Sequence, residues 1–374
     1  MNRWIASAAL LLCVLTPAAL HAQEVFEDEV TIVKAKVIEI VFQEDRVVEG
    51  TELQTEHQTI RAQILDGAHA DRIVTVENDY LQLKDGETFY LRHTVDIDGV
   101  EYFSVADPYR LPVLFVLIGL FVLSVVFFGG IQGIRGLLSL IGGLFLIVYL
   151  LLPGILAGYS PVLVATAVSS LIIGVGSYIT HGFNRTTTAA VLGMITTIAL
   201  TGLLAFLAIH FGRLSGFESE EAVYLNFNTG GTIDFAGLLL GAIMIGLLGV
   251  LYDIAIGQAV AVDELKRAGT HLSPKDVYSR ALRIGREHTG ALVNSLAIAY
   301  VGVSLPLLLL FSNTENGSIL LNMNREIFAT EIVRTMVGSI GLVLAVPITT
   351  LIAVWMLTGS GTAQHSHGHS HAQV

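Results

Sequence analysis

Asp253 stands on a row of small residues, Ala242, Gly246, Gly249, Asp253 and Gly257, inside a long apolar run. The spacing of 4, 3, 4 and 4 puts all five on one helical face. Small residues on such a face let a second helix approach closely. A carboxylate inside an apolar span is expensive and is a functional-site hypothesis by default. It can bind a cation or relay a proton; the plainer alternative is a hydrated interfacial acid, or one bonded to a neighbouring helix. Glu331, Arg334, Gly338, Gly341 and Ala345 form a second row, spaced 3, 4, 3 and 4. Glu331 and Arg334 can pair at i, i+3, and a snorkelling interfacial pair is the plainer reading of them. Asp234 begins the run that carries Asp253 and can join this pair, whereas Asp253 lies near the opposite membrane face. Asn294, Ser295, Tyr300 and Ser304 precede Pro306 in another run, and Pro347 interrupts the last. Proline frees a backbone carbonyl, which lines an ion site or merely permits a bend. The expected polar core is Asp253, Asn294, Glu331 and Arg334, with Asp234 beside it.

The C-terminal tail alternates imidazoles at His365, His367, His369 and His371. These can wrap a divalent metal such as zinc or nickel weakly; an accessory tail is the alternative. The threonines 186, 187, 188, 196, 197 and 201 are expected to bond back to their own helix. No nucleophile elbow, phosphate loop or HExxH occurs, and Asp234 and Asp253 are too far apart for a carboxylate dyad. Neither an enzyme nor a cofactor is expected. Cys13 is the one cysteine.

These residues must be positioned by helices in lipid. The chain is 53% hydrophobic and 14% charged, against about 25% charged in soluble domains. No Asp, Glu, Lys or Arg falls between Arg110 and Arg135, Arg135 and Arg185, Arg185 and Arg213, or Glu287 and Glu315, nor after Arg334. A hydrocarbon core about 30 Å thick requires runs of about 20 such residues. Seven spans follow, near 111–131, 134–152, 161–180, 188–211, 235–256, 290–312 and 332–357. The first two can form a tight hairpin about Gly129, Gly130 and Gly133.

Arg3, the apolar run from Trp4 to Leu20, and Ala22 read as a signal peptide over residues 1–22. Residues 23–108 form a separate all-β region. Period-two alternation, as at Ile60, Ala62 and Ile64, and turns at Asp66-Gly67, Asp85-Gly86 and Asp98-Gly99 predict five or six antiparallel strands. Their number suggests an OB-like barrel or a sandwich outside the cytoplasm. A helical transmembrane domain (109–358) and a cytoplasmic tail (359–374) follow. Eight basic residues in the loops on one side (Arg135, Arg185, Lys266, Arg267, Lys275, Arg280, Arg283, Arg286) oppose three on the other (Arg213, Arg325, Arg334). The excess marks the cytoplasmic side. In the basic loop, Ser273-Pro274 starts a surface helix with Val277, Ala281, Ile284 and His288 on one face. The net charge of −12 and the lack of a basic stripe exclude nucleic acid as a partner.

Three segments carry a family resemblance. They are Gly249-Val250-Leu251-Tyr252-Asp253-Ile254-Ala255 with Val262-Asp263-Glu264-Leu265, then Gly290 to Leu296 with Ala299 to Gly302 and Leu305-Pro306, and finally Glu331-Ile332-Val333-Arg334 with Gly338 to Gly341 and Pro347. Together they resemble the YibE/YibF-like family of multi-pass membrane proteins, over about residues 30 to 357. The resemblance implies an extracytoplasmic β domain and a helical membrane domain, and supplies no substrate.

The leading expectation is a bacterial inner-membrane transporter or channel for a small solute or ion. Two alternatives stand beside it. One is a scaffold or assembly factor whose β domain docks a protein partner; the other is a divalent-metal transporter, cued by the tail. Besides the lipid bilayer, a second copy of the chain is an admissible partner.

Overall fold

The computed structural model describes residues 29–47, 54–79, 81–96, 98–269, 271–312 and 318–358. The expected signal segment and the histidine tail lie outside them. The chain divides into two compact units between Leu120 and Phe121.

The first unit is a closed five-stranded barrel of β1 (Glu29–Val47), β2 (Gln54–Ile64), β3 (Ile73–Asn78), β4 (Thr88–Val95) and β5 (Glu101–Pro108). The strand order is β1-β2-β3-β5-β4, with β3 and β5 parallel. Five strands closed in this way are the barrel alternative, not the sandwich. Alternation builds it: Ile60, Ala62, Ile64, Val74, Val76, Phe89 and Leu91 are all buried. Gln58 sits among them and pins the segment before β4. Its amide donates to the Leu83 carbonyl (3.0 Å) and accepts from the Leu83 N–H (2.9 Å). In the Asp66-Gly67 turn, Gly67 takes φ +82°, a region glycine enters without cost. Asp66 there accepts from the Lys34 N–H at 2.6 Å.

The helical region starts with α1 (Leu111–Leu146), which continues through a π-helical turn to Leu156. Gly130 breaks α1, with φ 54° and ψ −139°. Past it the chain turns back: a Cβ on Gly133 would lie 2.3 Å from the Val125 carbonyl oxygen. In an unbroken helix those residues stand about 12 Å apart. No residue of α1 is buried, and a helix apolar on every side belongs in lipid or against protein.

Next come α2 (Pro161–His181), α3 (Arg185–Gly212), the short α4 (Glu220–Asn228) and α5 (Phe235–Ala268). Asn184 caps α3, accepting from the Thr187 N–H at 2.7 Å. α5 runs well past the span expected to end near residue 256, because only Gly257 interrupts good helix formers before Gly269. Lys266 and Arg267 suit the negative end of its dipole.

Ser273 caps α6 (Pro274–Val303), accepting from the Asp276 N–H at 3.2 Å. The expected surface helix and sixth span are therefore one helix. Its inner face carries Val277, Ala281 and Gly285, whereas Ile284 and His288, expected there, are exposed. Pro306 lacks an N–H and crowds the preceding turn. The chain bends by 70° between α6 and α7 (Leu305–Ser312). The short α8 (Ile319–Asn324) leads into α9 (Glu326–Thr358), which passes through Pro347 unbroken.

Among the described residues, five helices are long and apolar enough to cross a membrane, or six if the bent α6–α7 pair is one span. Two long helices pack closely where a glycine of one meets a side chain of the other. A Cβ on Gly193 would lie 2.5 Å from Thr349 Oγ1, and one on Gly341 2.5 Å from Thr201 Oγ1. These contacts join α3 to α9.

Candidate functional site

The loop between α3 and α4 is held from two sides. Glu326, at the start of α9, accepts from the Ser215 hydroxyl (2.7 Å) and the Gly216 N–H (2.9 Å). Gly216 takes φ +82°, and a Cβ there would stand 2.3 Å from the Phe235 carbonyl oxygen. The loop is thereby fixed against the first turns of α5 and α9, and it delivers Glu218 to Arg334.

Arg334 donates to Glu218 Oε1 at 3.0 Å and to Glu331 on its own helix. Ser304, at the proline bend, donates its hydroxyl to Glu331 Oε2 at 2.9 Å. Three segments therefore meet on one cluster. It holds two carboxylates and one guanidinium, a formal balance of −1. Glu218 Oε2 is buried without a hydrogen-bond partner, the kind of orphaned acceptor that calls for a cation, a proton or water. Glu218 and Arg334 line a cavity of about 260 Å³ together with Glu221, Leu225 and Ala242. Glu221, whose carboxyl a backbone hydrogen bond and the Ser219 hydroxyl hold below the usual range, stands at the same mouth.

Asp253 lies elsewhere. It lines a cavity of about 360 Å³ with Gly257, Gln258, Gly285, His288 and Val346. Gln258 is buried and accepts from the Thr350 hydroxyl at 2.9 Å. Between the two cavities runs the α5 row. Ala242, Gly246, Gly249, Asp253 and Gly257 are all exposed. A Cβ at Gly246 would come within 3.3 Å of the Tyr300 hydroxyl, while Gly249 and Gly257 face open space. From Ala242 to Asp253 the row covers about 16 Å at about 1.5 Å per residue.

The close helix approach expected along this row is made only at Gly246, against Tyr300, and not at Gly249 or Gly257. Elsewhere it is made on the other sides of the bundle, at Gly193, Gly285 and Gly341. The expected four-residue core is likewise divided. Glu331 and Arg334 pair as expected, Asp253 faces the second cavity, and Asn294 is exposed and lines neither. Asp234 does not join Arg334. Its carboxylate caps α5 by accepting from the Gly237 N–H at 3.0 Å, and it lines a third cavity with His210 and Arg213.

A model of YibE/F-like proteins matches residues 117–359. The chain belongs to the YibE/F-like family. The match takes in Glu218, Asp253, Glu331 and Arg334 and begins beyond β5, so the barrel lies outside it. No curated protein and no solved structure matches the chain.

In this YibE/F-like protein, Thr188, Thr196 and Thr197 bond back to their own helix. Thr186 instead donates to Asp263 on α5 (3.1 Å), and Thr201 is buried against Gly341 without a hydrogen bond. Glu218, Glu326 and Gln258 hold or line these cavities and were not singled out by sequence reasoning. Gln258 carried a signal, an amide within an otherwise apolar face. The glutamates carried none, because acidic loop residues are ordinarily solvated.

The cluster makes a prediction. Arg334→Met leaves two poorly solvated carboxylates facing each other and lowers stability by about 2 kcal/mol, less than the ~3–5 kcal/mol of a fully buried pair. Thermal unfolding in detergent reads it. Adding Glu218→Gln and Glu331→Gln to the same chain restores most of the midpoint. A midpoint unmoved by Arg334→Met contradicts the role given to the guanidinium.

Proposed function

We propose that this YibE/F-like protein is a multi-pass inner-membrane protein that moves a small cation, or a small solute together with one, along the exposed row of α5. One observation carries the reading. The Glu218–Arg334–Glu331 cluster has an excess carboxylate with an orphaned oxygen, and it stands at one end of an open face that leads to Asp253. Small side chains along the face leave room, and acids at both ends attract positive charge. His288 lines the same cavity as Asp253.

The topology that goes with this reading has seven crossings. The break at Gly130 makes two of α1 and its continuation, and the bent α6–α7 pair counts as one. An odd number places the barrel outside and the C-terminus in the cytoplasm, in accord with the basic loops. Applied to intact spheroplasts, a membrane-impermeant maleimide is expected to label Ser219→Cys and spare Ser279→Cys; the opposite pattern inverts the topology.

A scaffold reading draws on a different feature, the unburied apolar surface of α1, which a second copy or a partner's helix would cover. Flux separates the two. In proteoliposomes, proton entry is followed with an enclosed pH dye and monovalent cation entry with thallium. Asp253→Asn and Glu331→Gln are each expected to lower flux by about tenfold, the equivalent of ~1.4 kcal/mol. Asp234→Asn, at the α5 cap and the third cavity away from this row, is expected to leave it near wild type. Wild-type flux in Asp253→Asn contradicts the transport reading.

A further inference from the structure

The inward face of β4 begins Phe89, Leu91 and continues to His93 at the end of the barrel. An imidazole thus stands where alternation calls for an apolar side chain. Strand pairing sets Thr31 of β1 and Phe103 of β5 on either side of it. Phe103 stacks on the ring at 4.7 Å between centroids. The His93 side chain is 8% exposed, and its Nε2 is buried without a hydrogen-bond partner.

Two further donors converge on that nitrogen. Glu101, two residues from Phe103 on the same face of β5, brings Oε1 to 3.7 Å. Its other oxygen is held by Arg72 at 2.7 Å, which leaves Oε1 turned towards His93. His69 comes from the loop between β2 and β3. That loop is fixed by backbone hydrogen bonds from Asp71 to Ile64 (2.8 Å) and from Arg72 to His69 (3.1 Å). The ligand atoms of His69, His93 and Glu101 all lie within 4.8 Å of one another. Thr31 Oγ1 stands 3.4 Å from His93 Nδ1, so the ring's second nitrogen has a partner of its own.

We propose that this end of the barrel is a binding site for a zinc-class divalent ion, ligated by His69, His93 and Glu101. Two imidazoles and one carboxylate are a zinc donor set, with a fourth position left for solvent, and imidazole selects against magnesium and calcium. Metal–ligand bonds of about 2.0–2.2 Å require donors about 3.3 Å apart in a tetrahedron. The exposed His69 and Glu101 side chains supply that contraction by rotation. Arg72 on the distal carboxylate oxygen and Thr31 on the distal nitrogen act as the outer partners that orient such ligands. A simple His93–Glu101 ion pair would satisfy the same buried nitrogen, but it has no use for His69.

The site stands apart from the transport reading and is tested separately. The full-length chain in detergent, with His365, His367, His369 and His371 changed to serine, is titrated with Zn2+ by calorimetry and with Co2+ by absorbance. One ion per chain is expected. Affinity should fall by about tenfold or more in His69→Ala and in Glu101→Gln, and Mg2+ should not compete. His69 lies on an exposed loop, so its variant keeps the barrel even if His93→Ala does not. If the parent binds no Zn2+, or if His69→Ala and Glu101→Gln bind it as the parent does, the site is overturned.

Discussion

Holding Arg334 among apolar helices requires carboxylates within reach, and the helical unit is arranged to bring two. One comes from its own helix, a turn away. The other, Glu218, is 116 residues distant in sequence. Its delivery depends on a loop clamped by Glu326 and seated against the Phe235 backbone through Gly216. The proline bend at the end of α6 brings Ser304 to the remaining glutamate oxygen. Desolvating one guanidinium thus constrains the α3–α4 loop, the α6–α7 bend and the first turns of α9 together. The second carboxylate exceeds what charge balance needs, and Glu218 Oε2 is left buried without a partner.

The same bundle separates packing from openness. Glycines at 193, 285 and 341 face Thr349, Gln258 and Thr201, and there the helices meet closely. Glycines at 249 and 257 face open space along the row that bears Asp253. Small residues serve both purposes, and spacing alone does not distinguish them. For this reason the α5 row reads as a helix contact in the sequence, while the structure makes that contact at Gly246 and leaves Gly249 and Gly257 open.

Much of the fold was legible in local chemistry. The barrel's alternation, its Asp-Gly turns, the Ser273 cap, and the long uncharged runs each follow from a short stretch of residues. The i, i+3 pairing of Glu331 with Arg334 is equally local. What was not legible is long-range. Glu218 reads as a solvated loop acid until the loop is folded onto α9. Asp234 reads as a partner for Arg334 until its capping role is seen. Helix ends erred where no strong breaker stands: α5 runs on to Ala268 and the expected surface helix is continuous with the sixth span, because only single glycines interrupt them. His93, one imidazole within an alternating strand, gains meaning only when the β2–β3 loop and β5 close on it.

The central claim is that the α5 row is a watered path between two acidic ends and is not a surface covered by lipid or helix. Thiol reactivity along that row tests it most directly, since a thiolate forms only where water reaches. Ala242→Cys, Gly249→Cys and Gly257→Cys are made in a chain otherwise without cysteine, reconstituted in lipid, and exposed to a charged methanethiosulfonate. The account predicts that all three react, Gly249→Cys included. Reaction at the end positions with a silent Gly249→Cys would contradict it.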